Sequence, residues 1–337
     1  MFTTEFKGIN SFLVGMSDIL LTSSVERTTR GYKCFELPEP VIIKITNPLA
    51  RYVTIPQRKW NCTLPYAESL WIATGRNDME LAGHYVKKLY DFSDDKNFMR
   101  AGYGPRIRRF NGVATDYTEK SFWRIFSKRN KTHTIDQLKF VEKLFNQDPK
   151  TRQAIITIGD PAKDNFDLLG NLKVTKDFPC TRSLQFILNH EGKLDLIVHM
   201  RSNDFIWGAS AVNIFNFTFI LEYMAAILGL EIGNYYHIVN NFHFYDIHLG
   251  LLKQLSALKN IHDEDYFLYN KTFSNLSEFD ARLGELSEYE ECLRRVKIIE
   301  SNFKDDFFSD WAKIFSNFAG QKSKFSNPIL ERLINKK

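Results

Sequence analysis

Residues 179–204 open with Pro179-Cys180-Thr181 and close with Met200-Arg201-Ser202-Asn203-Asp204, and the reading of this stretch decides the fold. Between its ends runs an alternating segment, Ser183-Leu184-Gln185-Phe186-Ile187-Leu188, so the whole reads as one β-hairpin. The hairpin joins a thiol to an arginine–serine–aspartate cluster. A thiolate beside a cation suits covalent chemistry on a substrate that carries a phosphate. A cysteine is weakly nucleophilic at its ordinary pKa of about 8.5 unless cations or hydrogen-bond donors assist it. Arg182 and Arg201 are the candidates for that assistance. On spacing alone, a buried structural cysteine and a surface Arg201-Ser202 pair compete with this reading.

Working outward, Val41-Ile42-Ile43-Lys44-Ile45 reads as a strand ended by Asn47-Pro48. Residues 64–74 read as a helix with Leu64, Ala67, Leu70, Trp71 and Ala73 on one face, stopped by Gly75. Residues 116–132 are charged and irregular, which predicts a surface insertion. Thr134 to Phe145 has the pattern of an amphipathic helix closed by Asp148-Pro149, and Ala154 to Ile158 that of a strand. Residues 211–230 are apolar almost all round and end in Gly229 and Gly233, the pattern of a buried central helix. Strands and helices mix without a strict βαβ rhythm, so the fold class is α+β. No internal repeat or low-complexity linker appears. The expected division is one domain over 1–255 and a helical extension over 256–337 packed on it.

Composition adds modest bounds. The chain has 337 residues, 44% hydrophobic and 25% charged, enough for a sizeable core. Its 29 phenylalanines point to aromatic core packing. A net charge of +5 is too mild to imply nucleic acid and equally suits a small anionic substrate. Cys34, Cys62, Cys180 and Cys292 are widely spaced with no CxxC pair, against zinc and against a disulfide framework. The apolar run Phe12–Met16 follows Glu5 and is broken by Asp18, unlike a signal peptide. No apolar stretch is read as long enough to span a bilayer. A cytoplasmic protein with neither a membrane nor a nucleic acid as partner is expected.

Four further positions stand out, each with a bland alternative. Glu68 lies near the apolar face of the 64–74 helix, where a carboxylate is costly unless it meets solvent or a site. Asn213 opens the central helix, where capping would explain it. His243 and Tyr245 point the same way along a strand.

The order of these signals is more telling than any one of them. Ala67-Glu68-Ser69-Leu70-Trp71 with Gly75 is followed by Tyr103-Gly104 with Arg106 and Arg108, then Asp148-Pro149-Lys150-Thr151-Arg152. Pro179-Cys180, Arg201-Ser202-Asn203-Asp204, Gly208, Asn213 and His243-Phe244-Tyr245 complete the series. In order and approximate spacing, over roughly residues 25–250, the chain resembles the thymidylate synthase and pyrimidine-nucleotide hydroxymethylase family.

The resemblance implies a large twisted mixed β-sheet flanked by helices, one sheet face serving dimerisation. It implies a pyrimidine nucleoside 5′-monophosphate as substrate, 5,10-methylenetetrahydrofolate as co-substrate and no metal. The Cys180 thiolate would add to C6, making C5 nucleophilic towards the folate methylene. After loss of the C5 proton an exocyclic methylene remains; hydride then gives a methyl group and water a hydroxymethyl group. Glu68 would organise the proton-transferring water and Tyr103 would assist near C5. Arg201 and Ser202 would hold the phosphate, with Arg152 reaching in from the other subunit of a homodimer. Arg30, or Arg27 beside it, would close a loop on the phosphate. Asn213 would pair with the base edge, Asp204 would anchor the pterin, and His243 with Tyr245 would bind the sugar hydroxyl.

Departures from the family pattern bear on the product. Thr181 stands where histidine is usual, Met200 where glutamine is usual, and Gln153 where a second arginine is usual. Asn240-Asn241 replaces Gly-Asp, and the Gly208-to-Asn213 interval is one residue longer. Tyr90 and Phe92 stand where a tryptophan is expected before Tyr103, and the end Leu333–Lys337 lacks the short apolar lid. A missing lid and a missing aromatic wall favour water over hydride, hence a hydroxymethyl product over thymidylate. An amide at 213 both donates and accepts, matching N3–H and O4 of uracil, so dUMP is favoured over dCMP. The reading from another class is a catalytically silent homologue that binds nucleotide or RNA as a regulator.

Overall fold

The computed structural model describes residues 1–29, 31–118, 134–295 and 302–335. Of the insertion expected over 116–132, only 116–118 fall among them, and Arg30 lies outside them. The strands are β1 (Phe2–Phe6), β2 (Val25–Thr29), β3 (Tyr32–Glu36), β4 (Val41–Ile45) and β5 (Ile155–Thr157), followed by β6 (Thr181–Leu188), β7 (Lys193–Met200), β8 (Asn203–Asp204), β9 (Glu231–Val239) and β10 (Phe242–Tyr245). A six-stranded mixed sheet runs β1-β4-β9-β7-β6-β5, parallel at β1/β4 and β7/β9 and antiparallel elsewhere. A second sheet, β2-β3-β10-β8, was not foreseen, because β8 is only two residues long and β2 and β3 lack strong apolar alternation. The fold class is α+β.

The hairpin read within 179–204 is β6 and β7, and its alternation decides which way the large sheet faces. Leu184 and Phe186 of β6, Leu194, Leu196, Val198 and Met200 of β7, and Tyr235 and Val239 of β9 are buried on one face. The helix Ile9–Ser23 and the helix Ile214–Leu228 join that core. The opposite face brings Ile42, Tyr236, Ile238 and Ile197 together, paired as Ile42↔Ile238 and Ile197↔Tyr236 and all only partly buried.

The central helix begins earlier than its apolar pattern suggested. Phe205–Asn213 is π-helical and runs straight into Ile214–Leu228, with the Ile214 N–H bonded to the Ala209 carbonyl five residues back. Asp204 caps the start by accepting from the Trp207 N–H. Asn213 is therefore not a cap: its backbone is helical and its side chain makes no capping bond. The segment Phe205–Leu228 is long and apolar enough by composition to cross a bilayer, contrary to the sequence expectation. Its apolar window is 78% buried within the protein, which identifies a core helix. Gly229, at φ +65°, ends it in the left-handed conformation that favours glycine.

Beyond residue 256, Leu276–Arg294 and Asp306–Phe318 pack onto the helix Thr63–Ala73 and its neighbours. Trp311 Nε1 donates to the Tyr66 carbonyl at 3.0 Å, Tyr85 Oη to Glu290 at 2.9 Å, and Arg108 to Asp280 at 2.6 Å. The contact is largely aromatic: Phe219 stacks on Phe307 at 4.8 Å and meets Trp311 edge-on at 4.8 Å. Glu222, buried on the central helix, pairs with Arg51 and with Lys271, and their cations hold its carboxyl below the ordinary range against burial.

Candidate active site

The six-stranded sheet ends in a cavity of about 370 Å³. Cys180 enters it from the residue just before β6, where a register shift between Thr181 and Ser183 breaks the ladder. Across the hairpin, Arg201 follows β7, and its backbone N–H bonds the Cys180 carbonyl at 2.9 Å. The guanidinium lies 3.6 Å from the Cys180 sulfur. It is fixed by donating to the carbonyls of Pro179 at 3.1 Å and Phe178 at 2.9 Å, and by resting 4.9 Å from the centre of the Phe178 ring. A preorganised positive charge thus stands where negative charge would develop on sulfur. Tyr103 Oη accepts from the Thr181 N–H at 3.4 Å, and burial first, then Cys180, pushes its phenol well up, so it remains protonated.

Glu68 projects from the helix Thr63–Ala73 into the same cavity. Part of its surface meets the cavity and protein closes round the rest; this burial pushes its carboxyl up to about 7 from an ordinary 4.5. One hydrogen bond opposes the rise: Asn216 Nδ2 donates to Glu68 Oε2 at 2.9 Å. Asn213 lines the cavity three residues earlier on the same helix, its amide nitrogen 3.8 Å from Met200 Sδ. The backbone from Gly208 to Asn213 is π-helical, the form of helix that accommodates one residue more per turn. Asn213 and Asn216 consequently face one pocket together.

The second sheet supplies the adjoining residues. Asp204 and His243 are register partners on parallel β8 and β10. Asp204 Oδ2 and His243 Nδ1 are buried with no partner among the described residues. Burial pushes the Asp204 carboxyl up, against the Trp207 N–H and the nearby His243 and His248. His243 and Tyr245 face the same way, their rings perpendicular at 5.5 Å. Ser202 turns to Asn241 at 3.3 Å, and Asn241 in turn donates to Glu36 at 2.6 Å. Between these residues Asn203 points inward: Tyr235 Oη bonds His237 Nδ1 at 2.7 Å, and His237 Nε2 bonds Asn203 Oδ1 at 2.9 Å. Burial holds His237 down to about 3, so it is neutral. With one ring proton, it donates to Asn203 from Nε2 and accepts from the tyrosine at Nδ1.

The structure therefore brings Cys180, Glu68, Tyr103, Arg201 and Asn213 onto one cavity and sets Ser202, Asp204, His243 and Tyr245 beside it on β8, β10 and the turn before β8. Arg152 is not among the lining residues; it is exposed just before β5, its carbonyl held by Gln185 at 3.0 Å. Arg27 lies exposed on β2, paired with Glu36 at 3.2 Å. Sequence reasoning missed Asn216, Asp177 and Trp207. Asn216 left a signal, a polar residue on an otherwise apolar helix. Asp177, three residues before Cys180, accepts from the Ala101 N–H at 2.9 Å and ties the Tyr103 loop to the cysteine segment. Trp207, 46% exposed, lines the cavity with Lys88 4.9 Å over its ring.

Comparison with known proteins identifies the family. The family model described as thymidylate synthase matches residues 17–298. A deoxyuridylate hydroxymethyltransferase of Bacillus phage SP01 is 39% identical over 217 residues, 64% of this chain and 51% of that protein. Another, of Pseudomonas phage M6, is 30% identical over 234 residues, 69% of this chain and 59% of that protein. A thymidylate synthase of Oenococcus oeni is 27% identical over 147 residues, 44% of this chain and 42% of that protein. The chain spans about half the length of the curated relatives it matches. With a thiol, a guanidinium, a carboxyl and an amide lining one cavity, and a family match over most of its length, this chain belongs to the thymidylate synthase family.

Proposed function

We propose that this protein transfers a one-carbon unit from 5,10-methylenetetrahydrofolate to C5 of dUMP and releases the 5-hydroxymethyl nucleotide. The observation that carries the reading is the Arg201 guanidinium 3.6 Å from the Cys180 sulfur, on a cavity shared with Glu68 and Asn213. Cys180 is the nucleophile at C6. Arg201 favours its thiolate and, with Ser202, meets the phosphate. Tyr103, kept protonated by burial, is a donor near the base, and Asn213 offers both a donor and an acceptor to uracil. Glu68, at about 7, exchanges protons with water near neutrality. His243 and Tyr245 are assigned to the sugar hydroxyl. The folate, when bound, supplies the methylene carbon. Its fit is supported by the orphaned, buried Asp204 Oδ2, an acceptor for pterin N–H groups, one turn from Trp207 on the cavity wall.

The activity for which the two phage relatives are named supports hydroxymethyl over methyl transfer. A homodimer is part of the same reading: the partly apolar outer sheet face of Ile42, Ile197, Tyr236 and Ile238 is its proposed interface. Arg152, exposed at the edge of that sheet, would complete the partner's phosphate site. Cysteines that form no disulfide support a reducing, cytoplasmic setting.

The test is tritium release from C5 of dUMP in the presence of methylenetetrahydrofolate, with the product identified by mass spectrometry. Hydroxymethyl-dUMP is expected from the wild type, and no release from Cys180→Ala. Thymidylate as sole product would overturn the product assignment. Absence of release from dUMP, dCMP, UMP and CMP alike would leave the silent nucleotide- or RNA-binding homologue as the better account.

A further inference from the structure

The central helix Ile214–Leu228 is apolar on nearly every side, yet Asn216 sits in its first turn and lines the cavity. Its amide is held from both ends. Ser69 Oγ donates to Asn216 Oδ1 at 3.0 Å, and Asn216 Nδ2 donates to Glu68 Oε2 at 2.9 Å. The orientation follows from the carboxylate: ionised Glu68 can only accept, which puts Nδ2 towards it and leaves Oδ1 to accept from the Ser69 hydroxyl. Flipping the amide would set an oxygen lone pair against Glu68. Ser69 is 5% exposed and Asn216 4% exposed, so water competes weakly with either bond. The charged and titratable groups sharing this cavity are Tyr103 from the helix Tyr103–Arg108, Lys176, Asp177 and Cys180 before the hairpin, and Arg201 after it. Among the described residues no other cation or hydrogen-bond donor contacts Glu68, so Asn216 is the group that favours its ionised form.

We propose that Asn216, oriented by Ser69, is a positioning residue that holds Glu68 as the ionised acceptor for the proton of the water that becomes the product hydroxyl. The inference rests on the function proposed above. In the covalent adduct, C6 carries the Cys180 sulfur and C5 carries an exocyclic methylene. The water oxygen bonds to the methylene carbon, and the electron pair of the C5–methylene double bond moves into the C4 carbonyl as an enolate. One water proton passes to the Glu68 carboxylate. The enolate then re-forms the C5–C6 double bond and expels the Cys180 thiolate, and Glu68 later returns its proton to solvent. Nothing is oxidised or reduced, so no hydride donor enters this step.

The experiment measures kcat for hydroxymethyl-dUMP formation against pH, with KM for dUMP, in the wild type, Asn216→Ala, Ser69→Ala and Ser69→Thr. The wild-type acidic limb should centre near 7. Asn216→Ala should move it alkaline by about one pH unit, lowering kcat below the limb about tenfold, with KM changed less than about twofold. Ser69→Ala should move it the same way by a smaller amount, which keeps the test valid if Asn216→Ala does not fold. Ser69→Thr, retaining the hydroxyl, should restore the wild-type limb. An unmoved limb in both alanine variants, or a loss confined to KM, overturns the proposal. A wild type that forms no hydroxymethyl product overturns the function on which the proposal rests, a result separate from an active wild type with unmoved variants.

Discussion

At the residue scale, the chemistry-bearing side chains were legible because they are polar where a core residue should not be. Cys180 beside Arg201 and Glu68 on an apolar helix face each broke a local rule, and the broken rules converge on one cavity. Residues that act through others left weaker marks. Asn203 reads as one polar residue among several, and His237 carried no sequence signal, yet the pair forms a buried relay from Tyr235 to the segment carrying Arg201 and Asp204. No spacing rule finds such a relay, because Asn203 on β8 and His237 on β9 are 34 residues apart in the chain. The relay has a measurable consequence. His237 is neutral in the folded protein down to about 3, whereas the unfolded chain protonates it near the ordinary 6.5. Between those values the unfolded state binds the extra proton, so this contribution to stability is whole above 6.5 and declines as the pH falls. The slope should approach about 1.4 kcal/mol per pH unit well inside that window. His237→Gln keeps a donor and an acceptor but cannot protonate, so its urea midpoint should fall less than that of the wild type between neutral pH and pH about 5. Equal declines in the two proteins would show that His237 does not carry the dependence.

At the scale of elements, apolar periodicity located the strand Val41–Ile45, the helix Thr63–Ala73 and the central helix, while their ends depended on side chains. Asp136 begins the helix Gln137–Gln147 by accepting from the N–H groups of Leu138 and Lys139, three residues later than the apolar pattern alone placed it. The π-helical segment was legible only as an interval one residue too long. An insertion that a helix absorbs by i+5 bonding leaves the periodicity on either side intact. What keeps this turn in place is close packing at Gly208, where a Cβ would collide with the Asn203 amide and would stand 3.6 Å from Asn213 Oδ1. Gly208→Ala should therefore displace Asn203 from His237 and shift Asn213 in the cavity. Overpacking of this kind costs about 1–3 kcal/mol, and a catalytic amide moved by a fraction of an ångström costs about tenfold or more in kcat/KM for dUMP. Thermal unfolding and steady-state kinetics on the one variant read both effects. A variant with wild-type kcat/KM would mean that Asn213 is not held through this contact.

At the scale of the whole molecule, the segment after 256 looked chemically silent in sequence, being polar, helical and rich in phenylalanine. Its aromatic residues acquire meaning only in space. Phe307, Phe308 and Trp311 close over Phe219 and Phe279, and Trp311 Nε1 bonds the carbonyl of Tyr66, two residues before Glu68. Two buried ion pairs, Lys271 to Glu222 and Asp280 to Arg108, and a buried hydrogen bond from Tyr85 to the Glu290 carboxylate tie the same region to the sheet and its helices. Breaking one such contact leaves a buried charge behind, so the connection resists piecemeal opening. This arrangement predicts one cooperative unfolding unit in which the tail buttresses the Glu68 helix. Trp311→Ala should then cost about 3–5 kcal/mol of global stability, and Trp311→Phe, which keeps much of the ring packing but loses the bond to Tyr66, should cost less. In both variants far-ultraviolet ellipticity and intrinsic fluorescence should report a single urea transition at a lower midpoint, and kcat should fall together with stability because Glu68 loses its backing. If Trp311→Ala instead produced an early transition for the tail, a later one at the wild-type midpoint, and unchanged kcat, the segment after 256 would be a separate folding unit with no hold on the active site.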